Sequence, residues 1–323
     1  MSEITHSVAE VAYSFLSHAR FARAFSLVVL ATVLGTHLLR SVVGTAGLTA
    51  IVATELVLAA LMLLARRRVV KWNAFLPISL AIFLAWCTIS YFWSYYPKAT
   101  LVGIASQLSF AALALAVSAT RDTIQLIRAV GDVLRVFLGA SLVLEIIAGV
   151  LIDGPIPFLS IKGNLVNGEG IQGIFGSRNA FMLVALIALV TFIIEWRTKS
   201  VMREVAGWSI FGAALCVLLA ASPVGFVTAL VVALIASLLA ALKKMEASVR
   251  RGTEVAVLSV AGLGLIIAWA LRGRVLEALS SSEVLQYRLS LWSEELRLAA
   301  MKPLEGWGWV GLWPRKTDRK SVV

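Results

Sequence analysis

Residues 45–71 read TAGLTAIVATELVLAALMLLARRRVVK. The stretch is apolar up to Ala65, apart from Glu55 and a few small hydroxyl residues. It then stops on Arg66, Arg67 and Arg68, with Lys71 just beyond. About 20 mostly apolar residues suffice for a helix to cross the ~30 Å hydrocarbon core of a bilayer. A cluster of arginine and lysine directly past such a segment marks the cytoplasmic side. Working outward in both directions, similar apolar runs recur at 23–40, 73–93, 99–119, 124–150, 179–196, 205–221, 224–242 and 254–271. With 45–65 they make about nine transmembrane helices. The expected fold is all-α, a polytopic integral membrane helical bundle.

Composition agrees. The 323-residue chain is 60% hydrophobic and 15% charged, whereas soluble domains carry about 45–50% apolar and about 25% charged residues. The net charge of +11 therefore reflects basic loops of a membrane protein, and nucleic acid is not expected as a partner. Cys87 and Cys216 both fall inside apolar runs, which excludes a disulfide framework. His6, His18 and His37 show no metal-ligand spacing, so no metal site is expected.

Basic residues alternate along the loops. Besides the 66–71 cluster they gather at Arg197, Lys199 and Arg203, and at Lys243, Lys244, Arg250 and Arg251. The intervening loops are nearly free of positive charge. This pattern predicts a multi-pass protein with a cytoplasmic N-terminus, the first run serving as a retained signal anchor. Residues 1–271 are expected to form the transmembrane bundle, with an outer loop at 151–178. Residues 272–323 are expected to form a second external segment.

Several ionisable groups fall inside runs and are functional candidates for that reason. Arg128, Asp132 and Arg135 share one helical face and can neutralise one another. Glu145 has no local partner; lining an external cavity and reaching the interface are both open to it. Glu55 is expected to pair with another helix, and His37 to hydrogen-bond at the interface. Gly207, Gly212, Gly262 and Gly264 are expected to permit close helix packing.

The outer loop, DGPIPFLSIKGNLVNGEGIQGIFGSRNAF (153–181), is too rich in proline and glycine for a regular helix. It enters the next run through Ser177, Arg178 and Asn179. Ser177 or Asn179 suits the helix cap, and Arg178 adds positive charge where a helix dipole already favours anions. In the tail, Ser280–Glu283 fits a capping box. Leu285, Leu289, Trp292 and Leu296 then form the apolar stripe of an amphipathic helix that should stop before Pro303. Arg288 lies one turn before Trp292 and can stack on it or meet a lipid phosphate. GWGWVG (306–311) matches a dinucleotide-binding pattern in letters only, because no strand precedes it and no helix follows. With Trp307, Trp309 and Trp313, it suits an interfacial aromatic belt or a platform for a sugar ring.

Three stretches carry a family likeness: ISYFWSYYPKATLVGIASQL (89–108), GIFGSRNAFMLVAL (173–186) and YRLSLWSEELRLAAMKPLEGWGW (287–309). In order and spacing the chain resembles the O-antigen ligase and O-antigen polymerase superfamily, which includes exopolysaccharide polymerases. The resemblance implies a metal-independent glycosyltransferase with no cofactor, in the bacterial inner membrane. Its partners would be an undecaprenyl-diphosphate-linked glycan, a glycan or lipid acceptor such as the lipopolysaccharide core, and membrane lipids. By position, Arg288 would hold the donor diphosphate and Arg178 would assist, with Asn179, Trp292, Gly306 and Gly308 in support. The catalytic residue is not assigned, because the family's histidine after Gly-x-Gly is missing and no histidine lies beyond His37. Glu169, Glu294 and Glu305 are the outer carboxylates that remain for that role. The basic ending is accordingly expected to be a premature stop, which leaves 272–323 as an incomplete catalytic loop and the enzyme inactive; a naturally short member is the alternative. Two other readings stand beside this one: a transporter or flippase of lipid-linked glycans, and a non-catalytic subunit binding anionic lipid.

Overall fold

A computed structural model describes residues 13–67, 76–159, 161–165, 168–221 and 283–310, with scattered positions between 226 and 270. Most of the expected spans 224–242 and 254–271 lies outside the described residues. So do Arg68, Lys71, Lys243, Lys244, Arg250, Gly264, positions 280–282 of the capping box, and everything from Gly311, with Trp313.

The described elements are helical: α1 (Ala19–Leu34), α2 (Thr36–Ala65), α3 (Ile78–Ile89), α4 (Pro97–Thr120), α5 (Thr123–Ile146), α6 (Arg178–Thr198), α7 (Arg203–Ala220) and α8 (Glu283–Met301). Five of the described helical segments are long and apolar enough to cross a membrane, and the shorter segment Ile78–Trp93 is apolar as well. No more than 39% of any spanning window is buried against protein. The remaining apolar surface needs an apolar solvent, so the chain is an all-α membrane protein.

The expected break between the first two runs falls inside α2. Gly44 (φ 73°, ψ −178°) interrupts the helical dihedrals, in a region of backbone space that is essentially reserved for glycine. The chain reverses there. Thr32 donates to Glu55 Oε1 at 2.5 Å, which is the interhelical pairing expected of a carboxylate in lipid.

Two compact units emerge: Met1–Ala85 with Ala105–Ala229, and Trp86–Ile104 with Leu230–Val323. The expected boundary at 271 lies outside the described residues. The C-terminal segment makes its contacts with the α3–α4 turn, for reasons given below. In the first unit, Phe25, Val29, Ala59 and Met62 of α1 and α2 pack on Leu113, Ala116 and Val117 of α4. A larger core joins α5, α6 and α7 through Leu134, Leu138, Phe181, Ala185, Ala188, Phe192, Ala213 and Cys216. The alanines let the helix backbones approach closely, the usual source of association between helices in lipid.

One end of this unit is tied by basic side chains. Arg66 donates from Nε and Nη2 to the Ser17 carbonyl and from Nη1 to the Thr120 carbonyl. Nearby, burial lowers the basicity of the Arg121 guanidinium, and repulsion from Arg23 and Arg66 adds to the effect.

Candidate functional site

At the opposite end of the first unit, α5 runs through a π-turn (Ile147–Leu151) into the glycine-rich loop. Glu145 is fully buried, at 0% exposure. Its Oε1 accepts the backbone N–H groups of Gln172 and Gly173, both at 3.1 Å. Ser141 Oγ, one turn earlier, accepts from Ile174 N at 3.3 Å. Neither expectation for Glu145 holds. Instead of lining an external cavity or reaching the interface, it clamps the loop, because three successive buried N–H groups there have no helix to pair with.

From the other side, His37 Nδ1 lies 3.2 Å from the Ile174 carbonyl. A carbonyl only accepts, so Nδ1 carries the proton. The ring faces Gly176, where a Cβ would collide with it. The loop then enters α6. Ser177 Oγ accepts from Ala180 N at 3.2 Å, so Ser177 and not Asn179 is the cap. Arg178 is exposed, and among the described residues its guanidinium has no partner.

The second unit joins two of the three family-like stretches. Beyond α8 the chain forms a strap, residues 302–310, that docks on the turn between α3 and α4. Trp93 Nε1 donates to the Glu305 carbonyl at 2.6 Å, Ser94 Oγ to the Trp307 carbonyl at 3.3 Å, and Trp309 N to Ser90 Oγ at 3.0 Å. Trp307 donates its indole N–H back to the Leu298 carbonyl of α8 at 2.9 Å. The Lys302 ammonium sits 4.4 Å from the Tyr95 ring centroid and 5.3 Å from that of Trp307. Gly308 (φ 95°) passes so close to Ser94 and Thr100 that a Cβ would overlap both hydroxyls. The two indole N–H groups of these partly buried tryptophans each find a carbonyl. This docking is what groups the tail with Trp86–Ile104.

α8 ends at Met301, two residues before Pro303, as expected. Trp292 and Leu296 are 51% and 71% exposed, which leaves the apolar stripe open. Arg288 is half-buried. It does not stack on Trp292, and among the described residues its guanidinium has no partner. Arg288 thus keeps its donors available, a requirement for binding phosphate. Glu294 is paired with Arg297 at 2.8 Å. Of the carboxylates considered for proton transfer, Glu305 therefore remains in the same unit as Arg288, and Glu169 sits exposed in the first unit.

On the charged face of α5, Arg135 and Asp132 neutralise each other, while Arg128 is exposed and has no ionic partner among the described residues. Arg135 bonds Glu195 of α6, donates to Asp132 Oδ1 at 3.1 Å and to Ser209 Oγ of α7 at 2.8 Å, and lies over the Phe192 ring. Arg23 approaches Asp132 at 3.9 Å. Glu195, at 0% exposure, went unremarked in the sequence. Its place near the end of a span, two residues before Arg197, suggests a loop charge and not a buried one. Among the described residues, nothing packs closely on Gly207 or Gly212, since no side chain comes within 4 Å of a Cβ at either position.

The chain matches no protein-family model, no curated protein and no solved structure. Fold and composition define its class as a polytopic α-helical membrane protein.

Proposed function

We propose that the chain is a glycosyltransferase of surface-polysaccharide assembly. It moves a glycan from an undecaprenyl-diphosphate-linked donor to a glycan or lipid acceptor. The observation that supports this most is the docked strap. The stretches 89–108 and 287–309, which resemble one family independently, are held together by hydrogen bonds spanning more than 200 positions of sequence.

In this reading Arg288 grips the diphosphate with its planar fork. As the bond between the anomeric carbon and the phosphate oxygen breaks, the guanidinium stabilises the charge left on the departing diphosphate. The acceptor hydroxyl forms the new bond to that carbon, and its proton passes to the departing diphosphate. The membrane is the bacterial inner membrane, with the N-terminus and the basic loops cytoplasmic and the α3–α4 turn periplasmic. Unlike Arg135, which is already paired with Asp132 and Glu195, Arg288 is free to exchange partners; this favours transfer over transport.

Titration of undecaprenyl diphosphate into the purified chain, read by native mass spectrometry, tests the reading. Arg288→Ala should weaken binding by about ten- to a hundredfold, the worth of a charge-assisted bond pair. Unchanged binding would count against it.

A further inference from the structure

The α6–α7 turn carries a feature that the glycan-transfer reading does not use. A cavity of about 390 Å³ there is lined by Trp196, Arg197, Lys199, Val201 and Arg203. Among the described residues none of the three cations has an ionic partner. Arg203 stacks over the Trp196 ring at 5.3 Å. The Ser200 hydroxyl oxygen, in the same turn, is buried with no partner. A second, mostly apolar cavity of about 460 Å³ lies between α5 and α7. Its walls include Leu138, Gly139, Leu142 and Gly212, and no described side chain fills the space beside either glycine. Phe192 lines this slot, and Trp196 lines the cationic cup one turn further along the same face of α6. On α7, Glu204 of the slot directly follows Arg203 of the cup.

We infer that cup and slot together bind one anionic phospholipid, with its phosphate in the cup and an acyl tail in the slot. Three facts select that occupant. The cup is lined by three cations and no carboxylate, with Glu204 in the neighbouring slot, so its charge is complementary to a phosphate diester. The slot neighbours the cup along α6 and α7, through Phe192 beside Trp196 and Glu204 beside Arg203, and its walls reach into the apolar span, which suits a molecule polar at one end only. Both openings lie on spanning helices, where the surrounding solvent is lipid. Guanidinium and ammonium groups at the ends of spans ordinarily reach for headgroups. Here they converge on a cavity and leave a hydroxyl without its bond. This inference stands on the membrane class alone and does not depend on glycan transfer.

The test uses the full chain in detergent micelles, with phosphatidylglycerol or phosphatidylcholine of identical tails, followed by native mass spectrometry. One phosphatidylglycerol should be retained at least about tenfold more tightly than phosphatidylcholine. The combined variant Arg197→Gln, Lys199→Gln, Arg203→Gln should weaken its retention by about a hundredfold, since each cation beside an anionic headgroup contributes roughly fivefold. Gly212→Leu, or Gly139→Leu should the first not fold, fills the slot and should weaken it about tenfold. The three cations are exposed, so unchanged thermal unfolding of the triple variant separates lost binding from lost fold. Equal retention of the two lipids, or undiminished retention in the triple variant, overturns the inference. So does full displacement by millimolar glycerol phosphate with no effect of slot filling, which would make the cup a site for free phosphate.

Discussion

The strap makes a quantitative prediction at Gly308. Three hydrogen bonds hold residues 302–310 on the α3–α4 turn, each worth about 1 kcal/mol net. The Lys302 contact with Tyr95 adds about 0.5–1 kcal/mol. Docking is thus stabilised by about 3–4 kcal/mol, which leaves the strap open on the order of once in several hundred. Gly308→Ala places a methyl group against the Ser94 and Thr100 hydroxyls, at a φ of 95° that only glycine adopts freely. The strain costs about 1–3 kcal/mol. The open fraction should therefore rise about five- to a hundredfold. Hydrogen exchange followed by mass spectrometry on peptides covering 304–310 reads this directly, because the Trp309 amide is one of the docking donors. Ser90→Ala, which removes its acceptor without any clash, should speed the same peptide about fivefold. Unchanged exchange in Gly308→Ala would refute the close approach of strap and turn.

Glu145→Ala leaves the Gln172 and Gly173 amides buried without an acceptor. The expected cost is about 2–4 kcal/mol, seen as a lower midpoint of thermal unfolding in detergent. Glu145→Gln keeps a carbonyl oxygen there and should lose less than half as much. Glu195→Ala strands most of the Arg135 charge and should destabilise by about 3–5 kcal/mol. Adding Arg135→Ala should recover part of that loss, so the double-mutant cycle should show a coupling above about 1 kcal/mol. Simple additivity would mean the pair is not joined.

Apolar run length made the helices legible, because a bilayer imposes one length on every span. Positions 99–119 and 179–196 came within two residues of α4 and α6 at either end. The break at Gly44 and the stop before Pro303 were equally readable, since glycine and proline act locally. What escaped notice depends on three-dimensional neighbours. Periodicity does not show that the Glu145 carboxylate turns inward to a loop 27 residues away, nor that Glu195 meets Arg135 across 60 residues. Gly212 has the signature of a packing residue, but a small residue beside an open slot looks the same in sequence. At the candidate site, the sequence singled out Arg178, Arg288, Gly306 and Gly308. The reason Gly308 must be glycine, the hydroxyls of Ser94 and Thr100, became visible only once the tail was seen on the turn.

Transfer itself is the most direct test. Proteoliposomes containing the chain are given an undecaprenyl-diphosphate-linked glycan and a glycan acceptor, and elongated acceptor and freed undecaprenyl diphosphate are both measured. The two products should appear in equal amounts, and Arg288→Ala should abolish both while Arg288→Lys, which keeps charge but loses the fork, should restore a minor part. Elongation that survives Arg288→Ala undiminished, or donor that binds the wild-type chain and is never consumed, would contradict it.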